Sequence, residues 1–186
     1  MSDSANDERC RRTRKCTTEL IRFVSLRETS YGYSHSVSGT TPMDYIKLAC
    51  LKCGQGNRVP KDKVYQGPKC ANCGAGLMPS KVSELSPKIF EKAKNLDDAL
   101  LVVDFWAPWC GPCKTMTPEF EKAVSKLSGK ARLAKLNTEQ YQSVATKLGI
   151  RGVPTLIGYR DGKEVFRKSG AMPAQQIEML VKTHAK

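Results

Sequence analysis

LVVDFWAPWCGPCK, residues 101–114, is the stretch whose reading decides the fold. Leu101, Val102, Val103, Phe105 and Trp106 form an apolar run of the kind that makes a strand buried on both faces. The TMTPEFEKAVSKL that follows, 115–127, carries Phe120, Val124 and Leu127 at helical spacing. Cys110 therefore sits where a strand hands over to a helix. There the unpaired backbone N–H groups and the positive end of the helix dipole favour an anion, so the thiolate of Cys110 gains over its thiol. A thiolate is the attacking species in disulfide exchange, and Cys113, one helical turn on, is placed to displace whatever becomes bonded to Cys110. A CxxC is also compatible with half a metal site or an inert disulfide, but the strand-to-helix setting argues for exchange chemistry.

Outward from this centre the elements alternate. Pro79 and Ser80 mark a joint, Val82 and Leu85 suggest a short edge strand, and SPKIFEKA at 86–93 reads as a helix with a serine N-cap and proline at its first position. On the far side Pro118 falls inside the helical pattern and is expected to bend that helix, not end it. ARLAKLN at 131–137 alternates like a strand, QYQSVATKLG at 140–149 is helical with a glycine stop, and TLIGY at 155–159 is a further strand. Asp161-Gly162 turns the chain into KEVFRK, a hairpin. A last helix begins near Pro173 with Ile177, Leu180 and Val181 on its inner face. The order is β-α-β-α-β-α-β-β-α, an α/β sheet with helices on both faces.

Upstream, CLKCGQGNRVPKDKVYQGPKCANCGAGL from Cys50 to Leu77 holds two CxxCG knuckles 16 residues apart. Each knuckle presents two sulfurs from a tight turn, with Gly54 or Gly74 permitting curvature that a Cβ hinders, so Cys50, Cys53, Cys70 and Cys73 can close a tetrahedron around one Zn²⁺. A closed four-sulfur site leaves no position for water. Such an ion is structural, supplying folding free energy that so short a module cannot draw from a core. The alternative, two redox-active or disulfide-bonded pairs, lacks a buried strand before either pair and a helix after it. Val59, Val64 and Tyr65 are expected to form a short hairpin within this ribbon.

Length and composition set bounds. The 186 residues suffice for one core of ordinary size plus a small appendage. Six of the eight cysteines fall in CxxC pairs, which points to metal and redox chemistry in a reducing compartment such as the cytoplasm, not to a secreted disulfide scaffold. No run of about 18 apolar residues exists, so no membrane association is expected, and LIRFVSL at 20–26 is short and broken by Arg22, unlike a signal peptide. The net charge of +13 is spread out: seven basic against five acidic side chains in 1–43, six against two in 44–80, eighteen against eleven in 81–186. That distribution reads as solvated surface rather than a nucleic-acid footprint. Residues 1–42 lack sustained periodicity and are expected to be disordered; Cys10 and Cys16 have no common zinc spacing, and Met43 is a plausible internal start that would make 1–42 an upstream extension. The division is thus 1–42 extension, 43–80 zinc ribbon, 81–186 the sheet domain.

VDFWAPWCGPC at 103–113, KLNTE at 135–139 and GIRGVPT at 149–155 together resemble the thioredoxin family, over roughly Lys81 to the C-terminus. The resemblance implies the thioredoxin fold, a mixed central sheet flanked by helices, and a protein-disulfide reductase in which Cys110 attacks and Cys113 resolves. A carboxylate in an otherwise apolar strand is costly to ionise, so Asp104 should titrate high; the family pattern makes it the proton acceptor for Cys113, with Lys135 as charged neighbour. It also implies a cis bond before Pro154 and a substrate surface of Trp109, Gly111, Pro112, Gly152, Val153, Pro154 and Gly170, with strand-like backbone contacts to the client. Gly-Pro between the cysteines accompanies strongly reducing members, for which about −270 mV is the class value. Oxidised client proteins and an NADPH-dependent flavoprotein reductase are the implied partners, with no organic cofactor on this chain. With the ribbon included, residues 43–186 are similar to the zinc-carrying branch of bacterial thioredoxins. Two other classes stay open at this point: a redox-switched zinc chaperone or binding module, and a nucleic-acid-binding ribbon tethered to a thioredoxin-like domain.

Overall fold

The computed structural model describes residues 44–185. The readings placed on 1–42, on Cys10 and Cys16 and on Met43 lie outside the described residues.

The first described elements are two short strands, β1 (Tyr45–Ala49) and β2 (Gly56–Pro60), antiparallel with Ile46 opposite Val59 and Leu48 opposite Asn57. The expected hairpin of Val59, Val64 and Tyr65 is only partly there. Val59 lies in β2, but Val64 and Tyr65 fall in a 3₁₀ helix, Lys61–Gln66. Pro60 stands opposite Tyr45, the Lys61 N–H still reaches the Asp44 carbonyl at 2.9 Å, and only then does the chain wind into the 3₁₀ helix.

The remaining elements are β3 (Ser83–Glu84), α1 (Pro87–Leu96), β4 (Leu100–Trp106), α2 (Gly111–Leu127), β5 (Ala131–Asn137), α3 (Gln142–Lys147), β6 (Thr155–Arg160), β7 (Lys163–Ser169) and α4 (Ala174–His184). Their order is the alternation expected from the sequence. The five strands form one mixed sheet in the order β3-β5-β4-β6-β7, with β4 central, parallel to β5 and antiparallel to β6. Helix α1 starts as its sequence dictates: Ser86 Oγ accepts the Ile89 N–H and Pro87 occupies the first turn. Pro118 sits inside α2, which continues past it. Asp161 and Gly162, both at positive φ (50° and 76°), make the two-residue turn between β6 and β7.

Because β4 is covered on both faces, its successive side chains feed two cores. Leu100 and Val102 pack with Met116, Phe120, Val124 and Leu127 of α2 and Ile177 and Val181 of α4. Leu101, Val103 and Phe105 pack with Phe90 and Ala93 of α1 and Val144 of α3 on the opposite side. Gly158 of β6 faces Phe166 across the hairpin, where a Cβ would lie 2.2 Å from the ring; the missing side chain is what lets that ring fill the face.

The strand pair and the sheet domain share packing. Ala49 and Leu51 belong to the same apolar cluster as Phe90, Phe105 and Ile157. Asp97, just after α1, accepts the Ala49 N–H on Oδ1 at 2.7 Å and pairs through Oδ2 with Arg132 of β5, whose Nη2 donates to the Ala49 carbonyl at 2.5 Å. Both charged side chains are buried, at 1% and 0% exposure. Both polar groups of one ribbon residue are thus satisfied by side chains of the sheet domain. Lys47 and Asp98 add a second backbone bridge alongside. ARLAKLN therefore departs from simple alternation: residues 131–134 are all buried, Arg132 included, because its guanidinium has partners waiting on the ribbon side.

Candidate functional site

Strand β4 ends at Trp106, and a tight turn closed by the Cys110 N–H to the Ala107 carbonyl (3.1 Å) carries the chain into α2. Cys110 is the residue capping α2. Its Sγ accepts the Cys113 N–H at 3.1 Å, so a helix-end donor points straight at the sulfur that the sequence singled out. Cys110 and Cys113 are joined as a disulfide with Cα atoms 5.3 Å apart. Cys110 retains 4% exposure and Cys113 1%, within a rim where Trp109 is 69% exposed and Gly111 and Pro112 are also exposed. Cys110 is thus the slightly more exposed of the two residues, and Cys113 the more enclosed.

Opposite the pair lies the loop before β6. The Val153 carbonyl oxygen is 3.5 Å from Cys110 Sγ, the Val153–Pro154 bond is cis, and Val153 and Trp106 pack against Ala107, Cys110 and Cys113. Gly152 is exposed at the loop's outer side. The loop is held at both ends: Thr155 Oγ1 donates to the Gly152 carbonyl at 2.7 Å, and the Gly170 N–H donates to the Pro154 carbonyl at 2.9 Å. Trp109, Gly111, Pro112, Gly152, Val153, Pro154 and Gly170 thus come from three separate segments, of which the Cys110 and Val153 segments meet directly.

Asp104 lies on β4 between Lys135 of β5 and Leu156 of β6, 3% exposed, with Oδ1 buried and making no hydrogen bond. Burial pushes its carboxyl up to about 7; the Lys135 ammonium pulls the other way but does not offset the desolvation. Lys135 is half-buried, its Nζ 5.0 Å from the centre of the Trp106 ring. A carboxyl poised near neutrality two residues upstream of the end of the strand that leads to the redox pair has the right property for accepting a thiol proton at physiological pH.

In the ribbon, the knuckles repeat each other. Gly54 N–H to Cys50 O (2.8 Å) and Cys50 N–H to Gln55 O (2.7 Å) match Gly74 N–H to Cys70 O (3.0 Å) and Cys70 N–H to Ala75 O (2.8 Å), with Gly54 and Gly74 at φ 75° and 70°. The four sulfurs of Cys50, Cys53, Cys70 and Cys73 all lie within 4.8 Å of one another, the Cys50–Cys73 pair at 3.5 Å and the Cys53–Cys70 pair at 3.7 Å. A tetrahedron with Zn–S bonds of about 2.3 Å has sulfur–sulfur edges of about 3.8 Å. Side-chain amides of Asn57 and Asn72 donate to Cys70 Sγ and Cys53 Sγ, and hold them in place. The thiols cannot all ionise unaided. Cys70 is drawn down to about 6, first by the Cys73 N–H, whereas Cys73, against the pull of the Ala75 N–H, is pushed up to about 12 by the Cys53 sulfur, by burial and by the Cys50 and Cys70 sulfurs. A divalent cation resolves that conflict, so the donor set fits a closed Zn²⁺ site.

Sequence reasoning passed over Asp97, Arg132 and Thr155. An arginine at the second position of an alternating strand is the only signal for the first pair, and its partner lies 35 residues away. Thr155 enters the sequence reading as the last residue of GIRGVPT and the first of a strand, with no role of its own, because the carbonyl it holds belongs to a turn whose shape no spacing reveals. Among the described residues no helix is long and apolar enough to cross a membrane.

The family model described as thioredoxin matches residues 81–183, and that described as thioredoxin 2, N-terminal, a zinc ribbon, matches 49–75. The chain is 34% identical to thioredoxin C-3 of Corynebacterium nephridii over 131 residues, 70% of this chain and 90% of that protein. It is 32% identical to a thioredoxin of Haemophilus influenzae over 105 residues, 56% of this chain and 98% of that one. Among solved structures it is similar to chloroplastic thioredoxin z (TM-score 0.52, 32% identity, covering 55% and 93%). A further likeness is to the Malassezia sympodialis thioredoxin Mala s 13 (0.52, 30%, covering 56% and 91%).

Proposed function

This chain belongs to the thioredoxin family of thiol-disulfide oxidoreductases, a protein-disulfide reductase by that membership, and we propose that it donates electrons to oxidised client proteins through Cys110 and Cys113. The observation that carries this reading is Cys110 at the cap of α2 with the Cys113 N–H on its sulfur. In the reduced protein that donor favours the thiolate, which attacks one sulfur of a client disulfide. The S–S bond of the client breaks, a mixed disulfide to Cys110 forms, and the released client sulfur takes a proton. Cys113 then passes its proton to Asp104 and attacks Cys110 Sγ; the bond between Cys110 and the client sulfur breaks, and that sulfur leaves and takes up the proton that Asp104 releases. The client leaves as a dithiol, two electrons and two protons richer, and the 110–113 disulfide remains.

Around this pair, Trp109, Gly111, Pro112 and the Gly152–Pro154 loop with Gly170 form the surface on which an extended client segment docks, its backbone beside that of Val153. Lys135 keeps a positive charge beside Asp104 and so limits how far that carboxyl rises. The oxidised pair is returned to dithiol by an NADPH-dependent thioredoxin reductase, and the working compartment is the reducing cytoplasm.

Cys50, Cys53, Cys70 and Cys73 hold one Zn²⁺, which closes the ribbon over residues 43–80 and supplies no open coordination position for catalysis. The shared cluster of Ala49 and Leu51 with Phe90 favours this structural role over a ribbon merely tethered as a nucleic-acid-binding module. The test is reduction of insulin disulfides with NADPH and a thioredoxin reductase. Turnover is expected in the wild type and lost in Cys110→Ser; turnover that persists in that variant would reject the reading.

A further inference from the structure

Thr155 opens β6 directly after the loop that faces Cys110, and it is 2% exposed. A buried hydroxyl at the first position of a central strand has an obvious stabilising use, bonding its own strand partners. This one also reaches back along its own chain. Oγ1 lies 2.7 Å from the Gly152 carbonyl, three residues earlier, and 3.2 Å from Ser169 Oγ on β7, the residue paired with Thr155 across the sheet. A hydroxyl has one proton to give. The short contact to a carbonyl fixes where that proton goes, so Ser169 is the donor to Thr155, and the direction of the relay is Ser169 to Thr155 to Gly152.

What the relay restrains is the stretch between Gly152 and Pro154. The Pro154 carbonyl is tied independently by the Gly170 N–H. Gly152 has no side chain with which to anchor itself, is exposed, and finds no atom within 4 Å of where a Cβ would be. The Thr155 hydroxyl is therefore the hydrogen bond that sets the position of the Gly152–Val153 peptide, and with it the Val153 carbonyl that stands 3.5 Å from Cys110 Sγ.

We propose that Thr155, supported by Ser169, is a positioning residue for protein clients: its hydroxyl holds the Gly152–Val153 backbone where an extended client segment pairs with it, beside the sulfur that attacks. This rests on the reading of Cys110 as the attacking residue. It predicts a split between substrates. A protein disulfide uses the loop's backbone as well as the sulfur, whereas a small disulfide such as 5,5′-dithiobis(2-nitrobenzoate) needs the sulfur alone.

The test compares wild type, Thr155→Val, Thr155→Ser and Ser169→Ala, each pre-reduced, on insulin and on 5,5′-dithiobis(2-nitrobenzoate). Valine keeps the volume and removes the hydroxyl; serine keeps the hydroxyl. For Thr155→Val the KM for insulin is expected to rise about 3- to 10-fold, the range that one lost hydrogen bond gives, with kcat and the rate on the small disulfide within about 2-fold of wild type. Thr155→Ser should return to near wild type, and Ser169→Ala, an exposed position, should move the insulin KM the same way by a smaller factor. Equal loss on both substrates, or no change on either, overturns the proposal. Should Thr155→Val fail to fold, Ser169→Ala and Thr155→Ser decide: wild-type insulin KM in the former rejects the relay. A wild type inactive on both disulfides would instead reject the reading of Cys110 itself.

Discussion

Replacing Asp97 by alanine should cost the protein at least about 3 kcal/mol of folding free energy. The Asp97 carboxylate is 1% exposed and serves two partners at once, the Arg132 guanidinium and the Ala49 N–H. Its removal leaves a fully buried cation without a counter-ion, a loss of about 3–5 kcal/mol, and a backbone donor without an acceptor, about 1–3 kcal/mol more, the two overlapping because one side chain supplied both. Against a total stability of about 5–15 kcal/mol this is a large fraction of what holds the fold. Burial raises the Asp97 carboxyl to about 6 even with Arg132 beside it, so desolvation outweighs the attraction. The pair is thus costly as well as binding, and the double variant Asp97→Ala, Arg132→Leu should be more stable than Asp97→Ala alone by about 1 kcal/mol or more. Urea unfolding at pH 7.5 of wild type, both single variants and the double variant gives the cycle, and amide exchange at Ala49 reports the ribbon side. A loss below about 1 kcal/mol for Asp97→Ala, or a double variant no better than the single, would refute the argument that this ion pair clamps the ribbon to the sheet.

Three further outcomes follow from the geometry. Asp104 titrates at about 7 in the folded chain against about 3.9 unfolded, so the native state binds the extra proton and stability falls as pH rises from 4 to 7; Asp104→Asn should gain on wild type by about 4 kcal/mol more at pH 8 than at pH 4, read from urea midpoints at each pH, and a pH-independent difference would contradict the burial argument. One zinc per chain is expected by atomic emission, and Cys50→Ser should lose it and lower the thermal midpoint by several degrees; retention of zinc in that variant would remove Cys50 from the ligand set. Gly158→Ala drives a methyl to 2.2 Å from the Phe166 ring and should cost about 1–3 kcal/mol by thermal unfolding, whereas an unchanged midpoint would mean the ring moves freely.

The strand-turn-helix with its cysteines was legible because β4 is apolar on both faces and α2 keeps its spacing through Pro118, so local periodicity and tertiary burial agree. The knuckles were legible for a similar reason: their geometry is set by five or six consecutive residues. The ribbon hairpin was misplaced by one element, because Val64 and Tyr65 look like strand residues while the chain leaves the ladder after Lys61 and winds into a 3₁₀ helix. What escaped altogether was long-range. Arg132 meets Asp97 and Ala49 across 35 and 83 residues, and nothing local to ARLAKLN distinguishes a buried guanidinium from a solvated one. Thr155 escaped at short range, since only the folded loop shows its hydroxyl turned back to Gly152 instead of outward.

Electron transfer to a client begins with Cys110 as the sulfur that attacks. Incubating reduced Cys113→Ser with an oxidised client, quenching with acid and mapping peptides by mass spectrometry tests this directly, because without Cys113 the mixed disulfide cannot be resolved. A client cysteine joined to the peptide bearing Cys110 is the predicted result. An adduct on Cys50, Cys53, Cys70 or Cys73, with Cys110 unmodified, would contradict it.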